Sequence, residues 1–249
     1  MKDTVQWVRS LVYVTNIYAM MPVFGLAFLP WALFSRKGAI TACQSWSHYA
    51  LWCARWMVGL RYEIRGTPPT DEVMIASKHQ SFMDIFTLYT AIPAGKFIMK
   101  REILYTPVIG QYAVKLGCVA VDRGKRSQAI KKMVQDVEKG RTHPGQLIIY
   151  PQGTRIAPGV KSPYKVGTAV LYEELGQPCV PVATNVGVFW PRKGIMRRPG
   201  LAVIEFLPRI EPGMDRDAFL ERLEREVETA SDALMREAGF DVDGLDQQR

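Results

Sequence analysis

His79 and Asp84 stand five residues apart in the segment Ser77-Lys78-His79-Gln80-Ser81-Phe82-Met83-Asp84. A histidine held by a carboxylate can act as a general base, taking a proton from a hydroxyl or thiol and so driving an acyl transfer. The pair works only in one geometry. On a continuous helix, residues five apart point about 140° away from each other. His79 must therefore precede a helix and Asp84 must lie in its first turn. An apolar, strand-like run (Val73 to Ala76) precedes the segment and a helix-like run (Ile85 to Ala91) follows it. Ser81 is a suitable N-cap, and Ser81-Phe82-Met83-Asp84 has the spacing of a capping box. The same spacing admits a purely structural reading in which Asp84 only caps the helix. A carboxylate has enough acceptor sites to do both.

Two arginine-bearing turns follow. Val121-Asp122-Arg123-Gly124 ends a strand-like run, and so does Tyr150-Pro151-Gln152-Gly153-Thr154-Arg155. Gly153 permits close backbone approach, Thr154 adds a hydroxyl, and Arg155 offers a planar fork suited to phosphate. Lys100 closes a third such run. Singly, each cation reads as a surface residue. As an ordered set after the H-x4-D, they describe an anion site beside His79.

Strand-like runs recur at Tyr62 to Gly66, Val73 to Ala76, Lys96 to Met99, Cys118 to Val121, Leu147 to Tyr150, Cys179 to Val182 and Leu201 to Phe206. Helical patterns lie between, at Asp84 to Ala91, Pro107 to Leu116, Ser127 to Lys139 and Val166 to Leu175. Such alternation predicts an α/β fold with a mixed, mostly parallel sheet covered by helices. A final helix is predicted from Asp215 to Ala238, with Asp215 as N-cap, Gly239 as stop, and one apolar stripe of Phe219, Leu223, Val227, Ala230 and Leu234.

The first sixty residues differ from the rest. No charged residue occurs from Ser10 to Ser35, a run of 26 positions, against the roughly 20 that cross a bilayer core. Pro22 and Pro30 predict a bend within it. A second lipophilic stretch, Ala39 to Leu60, puts Trp46, Tyr49, Cys53 and Trp56 on one helical face, where Trp and Tyr favour the headgroup level. His48 reads as a packing or interfacial residue. We expect residues 1–60 to form a membrane-docking helical pair and residues 61–249 the catalytic domain. Spanning the bilayer and dipping into one leaflet both fit, as does a pair packed on the catalytic domain.

The net charge of +8 suits either nucleic acid or anionic lipid. No nucleic-acid module is recognisable, and a basic surface beside a lipophilic segment favours the membrane. Arg192, Lys193, Arg197 and Arg198 fit such a surface or a solvated loop equally. The four cysteines (Cys43, Cys53, Cys118, Cys179) have neither disulfide nor metal-ligand spacing. Cys118 and Cys179 read as small buried hydrophobes, and a reducing, cytoplasmic-side location follows.

The ordered blocks resemble the glycerolipid acyltransferase family, in particular its 1-acylglycerol-3-phosphate branch. That family's N-H-x4-D stands here as Lys78-His79 to Asp84, and its G-x4-D-R as Gly117 to Arg123. Its F-P-E-G-T-R-S stands as Tyr150 to Ile156, and its V-P-V block as Val180-Pro181-Val182. Lys100-Arg101-Glu102-Ile103-Leu104, with Pro107 and Gly110, is similar to the family's K-x-E-L...P-x-x-G stretch. The likeness runs from about Tyr62 to about Phe206. It departs from the pattern at Lys78 (for Asn), Gln152 (for Glu) and Ile156 (for Ser), which makes the expected pocket more basic.

The resemblance implies transfer of an acyl chain from an acyl thioester to the free hydroxyl of 1-acyl-glycerol 3-phosphate, giving phosphatidic acid. His79 would be the base, and Asp84 would hold its tautomer. Lys100, Arg123, Gln152, Gly153, Thr154 and Arg155 would bind substrate. It calls for no cofactor and no metal. The implied partners are a lysophospholipid acceptor, an acyl-CoA or acyl carrier protein donor, and the bilayer, at the cytoplasmic face (the inner membrane in a bacterium). Two other readings stand beside it. One is a sister acyltransferase using another lyso-lipid or glycerol 3-phosphate. The other is a non-catalytic, membrane-bound lipid-binding module of the same fold.

Overall fold

A computed structural model describes residues 2–121, 134–135, 137 and 144–242. The turn expected around Arg123 and nearly all of the helix expected from Ser127 to Lys139 lie outside the described residues. Within them, seven strands form one sheet: β1 (Leu60–Arg65), β2 (Met74–Ser77), β3 (Lys96–Lys100), β4 (Val119–Val121), β5 (Leu147–Ile149), β6 (Cys179–Thr184) and β7 (Gly200–Phe206), in the order β1-β7-β6-β2-β5-β3-β4. Every neighbouring pair is parallel except β6 with β7. The mixed, mostly parallel sheet of the sequence reading is what forms. Its central strands are short continuous runs of apolar and small residues because both faces are covered; every residue of β2, β5 and β6 is buried.

Among the described residues the helices include α1 (Lys2–Ala27), α2 (Leu29–Phe34), α3 (Arg36–Cys53), α4 (Met83–Ala91), α5 (Ile109–Leu116), α6 (Val166–Leu175), α7 (Val186–Phe189) and α8 (Arg216–Glu237). In α8 the Asp215 carboxylate accepts the Asp217 and Ala218 N–H groups at the start. Gly239 ends the helix at φ 75°, a conformation that favours glycine. Phe219, Leu223, Val227 and Leu234 are buried, each stabilising the fold by about 1.5–3 kcal/mol relative to exposure.

The N-terminal segment departs from expectation in detail. Helix α1 runs through Pro22, and the break comes at Phe28, with Pro30 in the first turn of α2, where a missing N–H costs nothing. One stripe of α1 is seated on the sheet domain. Gln6 donates to the carbonyls of Val58 and Arg197 (3.0 and 2.7 Å), the Ser10 hydroxyl accepts the Arg197 N–H (2.9 Å), and Tyr13 and Ile17 are fully buried. Trp46 and Tyr49 face this helix rather than a headgroup layer. The Trp46 indole donates to the Ile17 carbonyl at 3.1 Å, and the Tyr49 hydroxyl to the Asn16 side chain at 2.8 Å. The exposed aromatics of this segment include Trp7, Tyr18, Trp31, Phe34, Trp52 and Trp56. Arg197 is no surface cation either. It is 6% exposed, its guanidinium lies 4.4 Å over Trp190, and burial lowers its pKa to about 10. Cys179 is buried as expected, whereas Cys118 is only half-buried and its sulfur accepts the Phe97 N–H.

Candidate active site

Strands β2, β5, β3 and β4 are adjacent and parallel, so their carboxyl ends share one edge of the sheet. Ligands of open α/β sheets bind outside that edge. The turn after β2 carries His79, the turn after β5 carries residues 150–155, and β3 ends at the exposed Lys100. Lys100 is two strands from β2, about 10 Å. Arg123, expected after β4, lies outside the described residues.

His79 and Asp84 meet as the spacing requires. His79 Nδ1 is 2.9 Å from Asp84 Oδ2, with the carboxylate fully buried and the imidazole 14% exposed. The same oxygen accepts the N–H groups of Gln80 and Ser81, each at 2.8 Å. Two obligate backbone donors fix that oxygen as an acceptor. The proton between it and the ring therefore belongs to Nδ1, which leaves Nε2 as the basic nitrogen. Asp84 thus contacts both the imidazole and the backbone N–H groups just before the helix. The local geometry is one residue out of step with the capping box. The helix begins at Met83, and the Ser81 hydroxyl accepts the Met83 N–H at 3.2 Å.

Groups that sequence reasoning passed over hold this turn. Gln80 is fully buried; its side-chain oxygen accepts the Gly187 N–H at 3.0 Å, and its amide nitrogen lies 3.4 Å from the Met235 sulfur. The His79 carbonyl accepts the Ile156 N–H at 2.8 Å, joining the β2 turn to the β5 turn. Tyr150 stacks on the imidazole with ring centroids 3.8 Å apart and planes at 14°. Tyr150 was legible as the start of the arginine-bearing turn but not as a partner of His79, and Met235 sits on α8, 155 residues from Gln80.

Lys78 corrects the expectation of a more basic pocket. Successive residues of an extended chain point to opposite sides, and the Lys78 side chain turns away from the His79 side. Its ammonium, 1% exposed, pairs with Glu228 on α8, whose other oxygen accepts the Tyr164 hydroxyl at 3.0 Å. Lys78, Asp232 and Arg236 line a separate polar cavity of about 130 Å³ that His79 does not line. Removing one partner of a buried pair is destabilising by about 3–5 kcal/mol, less here because Glu228 is 22% exposed. Lys78→Met is therefore expected to lose about 2–3 kcal/mol of stability, or about 5–10 °C in Tm for a chain of this size, in a thermal melt. A melt unchanged from wild type would show that the pair contributes nothing.

The β5 turn is only partly open to a ligand. Gln152, expected to touch substrate, is buried (2% exposed) with its amide donating to the Ser162 carbonyl at 3.3 Å, and its side-chain oxygen has no partner. Gly153 has φ 68°, and a β-carbon there would come within 2.6 Å of Lys165 Nζ. An exposed ammonium absent from the sequence reading thus lies over this glycine. Thr154 and Arg155 are half-buried, and Arg155 reaches the Arg192 carbonyl at 3.4 Å.

A model of the Acyltransferase family matches residues 61–185. A 1-acyl-sn-glycerol-3-phosphate acyltransferase of Pseudomonas aeruginosa is 28% identical over 250 aligned residues, spanning 99% of this chain and 96% of that one. The protein of the same name from Limnanthes alba is 31% identical over 159 residues, 62% of this chain and 56% of that one. In structure, the chain is similar to the crystal structure of the 1-acyl-sn-glycerophosphate (LPA) acyltransferase PlsC from Thermotoga maritima, with a TM-score of 0.78 at 17% identity, covering 94% of this chain and 99% of that one. That last likeness is one of fold.

Proposed function

Because the chain belongs to the acyltransferase family and is an O-acyltransferase, we propose that it moves an acyl chain from an acyl thioester to the free hydroxyl of 1-acyl-glycerol 3-phosphate, giving phosphatidic acid. The observation that carries this reading is the His79–Asp84 contact at the sheet edge, beside a turn that bears Arg155 and has the Lys165 ammonium over its Gly153. His79 Nε2 takes the proton of the acceptor hydroxyl while Asp84 faces the imidazolium that forms. The hydroxyl oxygen adds to the thioester carbonyl, and the tetrahedral oxyanion collapses with loss of the thiolate, which receives the proton from His79. No acyl-enzyme intervenes; the sequence has no G-x-S-x-G nucleophile elbow. Arg155 and Lys100, with Arg123, bind the acceptor phosphate, and Gly153 lets the backbone approach it. Thr154 lies in the same turn. Gln152 orders the turn through Ser162 rather than meeting the substrate.

The donor and acceptor are both lipophilic, and the N-terminal segment fits that. Helix α1 is long and apolar enough to cross a membrane, with mean hydropathy 1.4. One stripe of it is committed to the domain, as described above. We therefore read residues 1–60 as a unit that lies on one leaflet. Trp7, Trp31, Phe34, Trp52 and Trp56 enter the membrane, on the cytoplasmic side where acyl thioesters are available. The pocket is then at headgroup level, where a lysophospholipid presents its hydroxyl and phosphate.

Loss of a hydrogen bond to a charged group costs about 1.5–3 kcal/mol, or about 10–100-fold. Arg155→Ala should raise the acceptor KM by at least ten-fold. The assay compares lysophosphatidate with a neutral lyso-acceptor such as monoacylglycerol. A KM unchanged for lysophosphatidate removes Arg155 from the phosphate site. Equal rates on both acceptors favour a different acceptor class.

A further inference from the structure

The mechanism so far leaves Tyr150 without a role, and two buried atoms beside His79 without partners. Tyr150 follows the last residue of β5. Since Ile149 is in register with Ala76, Tyr150 comes level with Ser77, two residues before His79. The β2 turn lays the imidazole over its ring at 3.8 Å. Phe97 of β3 stands at the ring from the neighbouring strand, 5.9 Å away and 24° off parallel. The imidazole thus rests on an aromatic floor that is itself fixed by two strands.

The Tyr150 hydroxyl is buried and has no hydrogen-bond partner, and neither does Asp84 Oδ1. Leaving a buried polar atom unpaired costs about 1–3 kcal/mol, so two at one site call for an account. One is a donor and the other an acceptor. Burial, and next the charge of Asp84, push the Tyr150 phenol well above its ordinary pKa, so it stays protonated and remains a donor. Asp84 Oδ2 is already occupied by three N–H groups, counting His79 Nδ1–H, and only Oδ1 is left to receive it.

We propose that Tyr150 is a positioning residue for the acyl transfer: its ring holds the His79 imidazole in line with Asp84, and its hydroxyl donates to Asp84 Oδ1 through one bridging water. The proposal rests on the reading of His79 as the base. With both oxygens engaged, the carboxylate has no rotational freedom, and the Nδ1–H···Oδ2 line persists as the proton moves. The ring does a second thing. Once His79 is protonated, a cation lies on the face of a phenol ring, within the roughly 6 Å over which such contacts are attractive. That attraction is stronger after proton transfer than before it, so it acts on turnover rather than on substrate binding.

Two variants separate the ring from the hydroxyl, assayed as full chains in micelles with lysophosphatidate and with acyl-CoA or acyl carrier protein thioester. Tyr150→Phe keeps the stack and loses the donor; kcat should fall about five-fold with both KM values unchanged, the size expected for one net hydrogen bond. Tyr150→Leu loses both, and kcat should fall about 30-fold or more, again with KM unchanged. Rates are normalised to the folded fraction from near-UV circular dichroism. A wild-type kcat in Tyr150→Phe overturns the hydroxyl's role, whether or not Tm changes, and a wild-type kcat in Tyr150→Leu overturns the proposal altogether. KM rising in step with the loss of kcat also overturns it, by placing Tyr150 against substrate. A wild type inactive with both donors contradicts the acyl-transfer reading itself, an outcome distinct from the others.

Discussion

His79→Ala should lose about 10²–10⁴-fold in kcat, the usual worth of a positioned general base, and keep its fold. The expectation of an intact fold follows from what the imidazole does not support. Asp84 Oδ2 still receives the Gln80 and Ser81 N–H groups at 2.8 Å, the His79 carbonyl still receives Ile156, and Gln80 stays pinned at Gly187. The turn is built by its backbone and its neighbours. The ring is an addition to it, 14% exposed and resting on Tyr150. A thermal melt near that of wild type, together with collapsed turnover, is the expected combination. A variant that melts early and is inactive in proportion would instead make His79 a structural residue.

Asp84→Asn is the second large effect, and it should differ from the first by damaging both activity and stability. The carboxylate is fully buried and organises three donors. In the amide, one of the two terminal atoms becomes an N–H₂ donor. If the oxygen stays toward Gln80 and Ser81, an amide nitrogen takes the place of Oδ1, and the Tyr150 hydroxyl has no acceptor there. If it turns, the two backbone N–H groups lose their partner. Either way the site loses the charge that faces the imidazolium, and in the turned orientation, with the amide N–H₂ toward the ring, His79 also loses what fixes its tautomer. In a Ser-His-Asp triad the equivalent change costs on the order of 10⁴-fold in kcat; here, on the order of 10³-fold or more is expected. Breaking charge-assisted hydrogen bonds at a helix start adds about 2–4 kcal/mol of lost stability, read as a lower Tm. Wild-type kcat in Asp84→Asn would reduce the carboxylate to a helix cap.

Much of this arrangement was legible in the residues, because the relevant signals are local. The seven strand-like runs all became strands, since a covered parallel sheet writes itself as short apolar runs between turns. The H-x4-D geometry followed from helical periodicity, and only the first residue of α4 moved, from after Ser81 to Met83. What was not legible is long-range. Nothing near Lys78 indicates that its ammonium finds Glu228 on α8, so a residue read as adding charge to the pocket contributes none there. Trp46 and Tyr49 carry an amphipathic pattern that serves a helix pair as well as a headgroup layer, and the Ile17 carbonyl and Asn16 decide between them. Pro22 was expected to bend α1, yet the helix continues through it and breaks at Phe28. Gln152 was expected at the substrate from its place in the turn; what the residues did not show is that its side chain is buried, with the amide donating to the Ser162 carbonyl. Tyr150 and its partnerless hydroxyl were invisible because stacking on His79 depends on the register of β5 against β2.

The most direct test of the account is the rate of acyl transfer from a labelled acyl-CoA or acyl carrier protein thioester to lysophosphatidate, by wild type and His79→Ala side by side in micelles. Wild type should form phosphatidate, and His79→Ala, equally folded, should form it at least a hundred-fold more slowly. Equal rates in the two proteins would contradict the central claim that the His79–Asp84 pair carries the reaction.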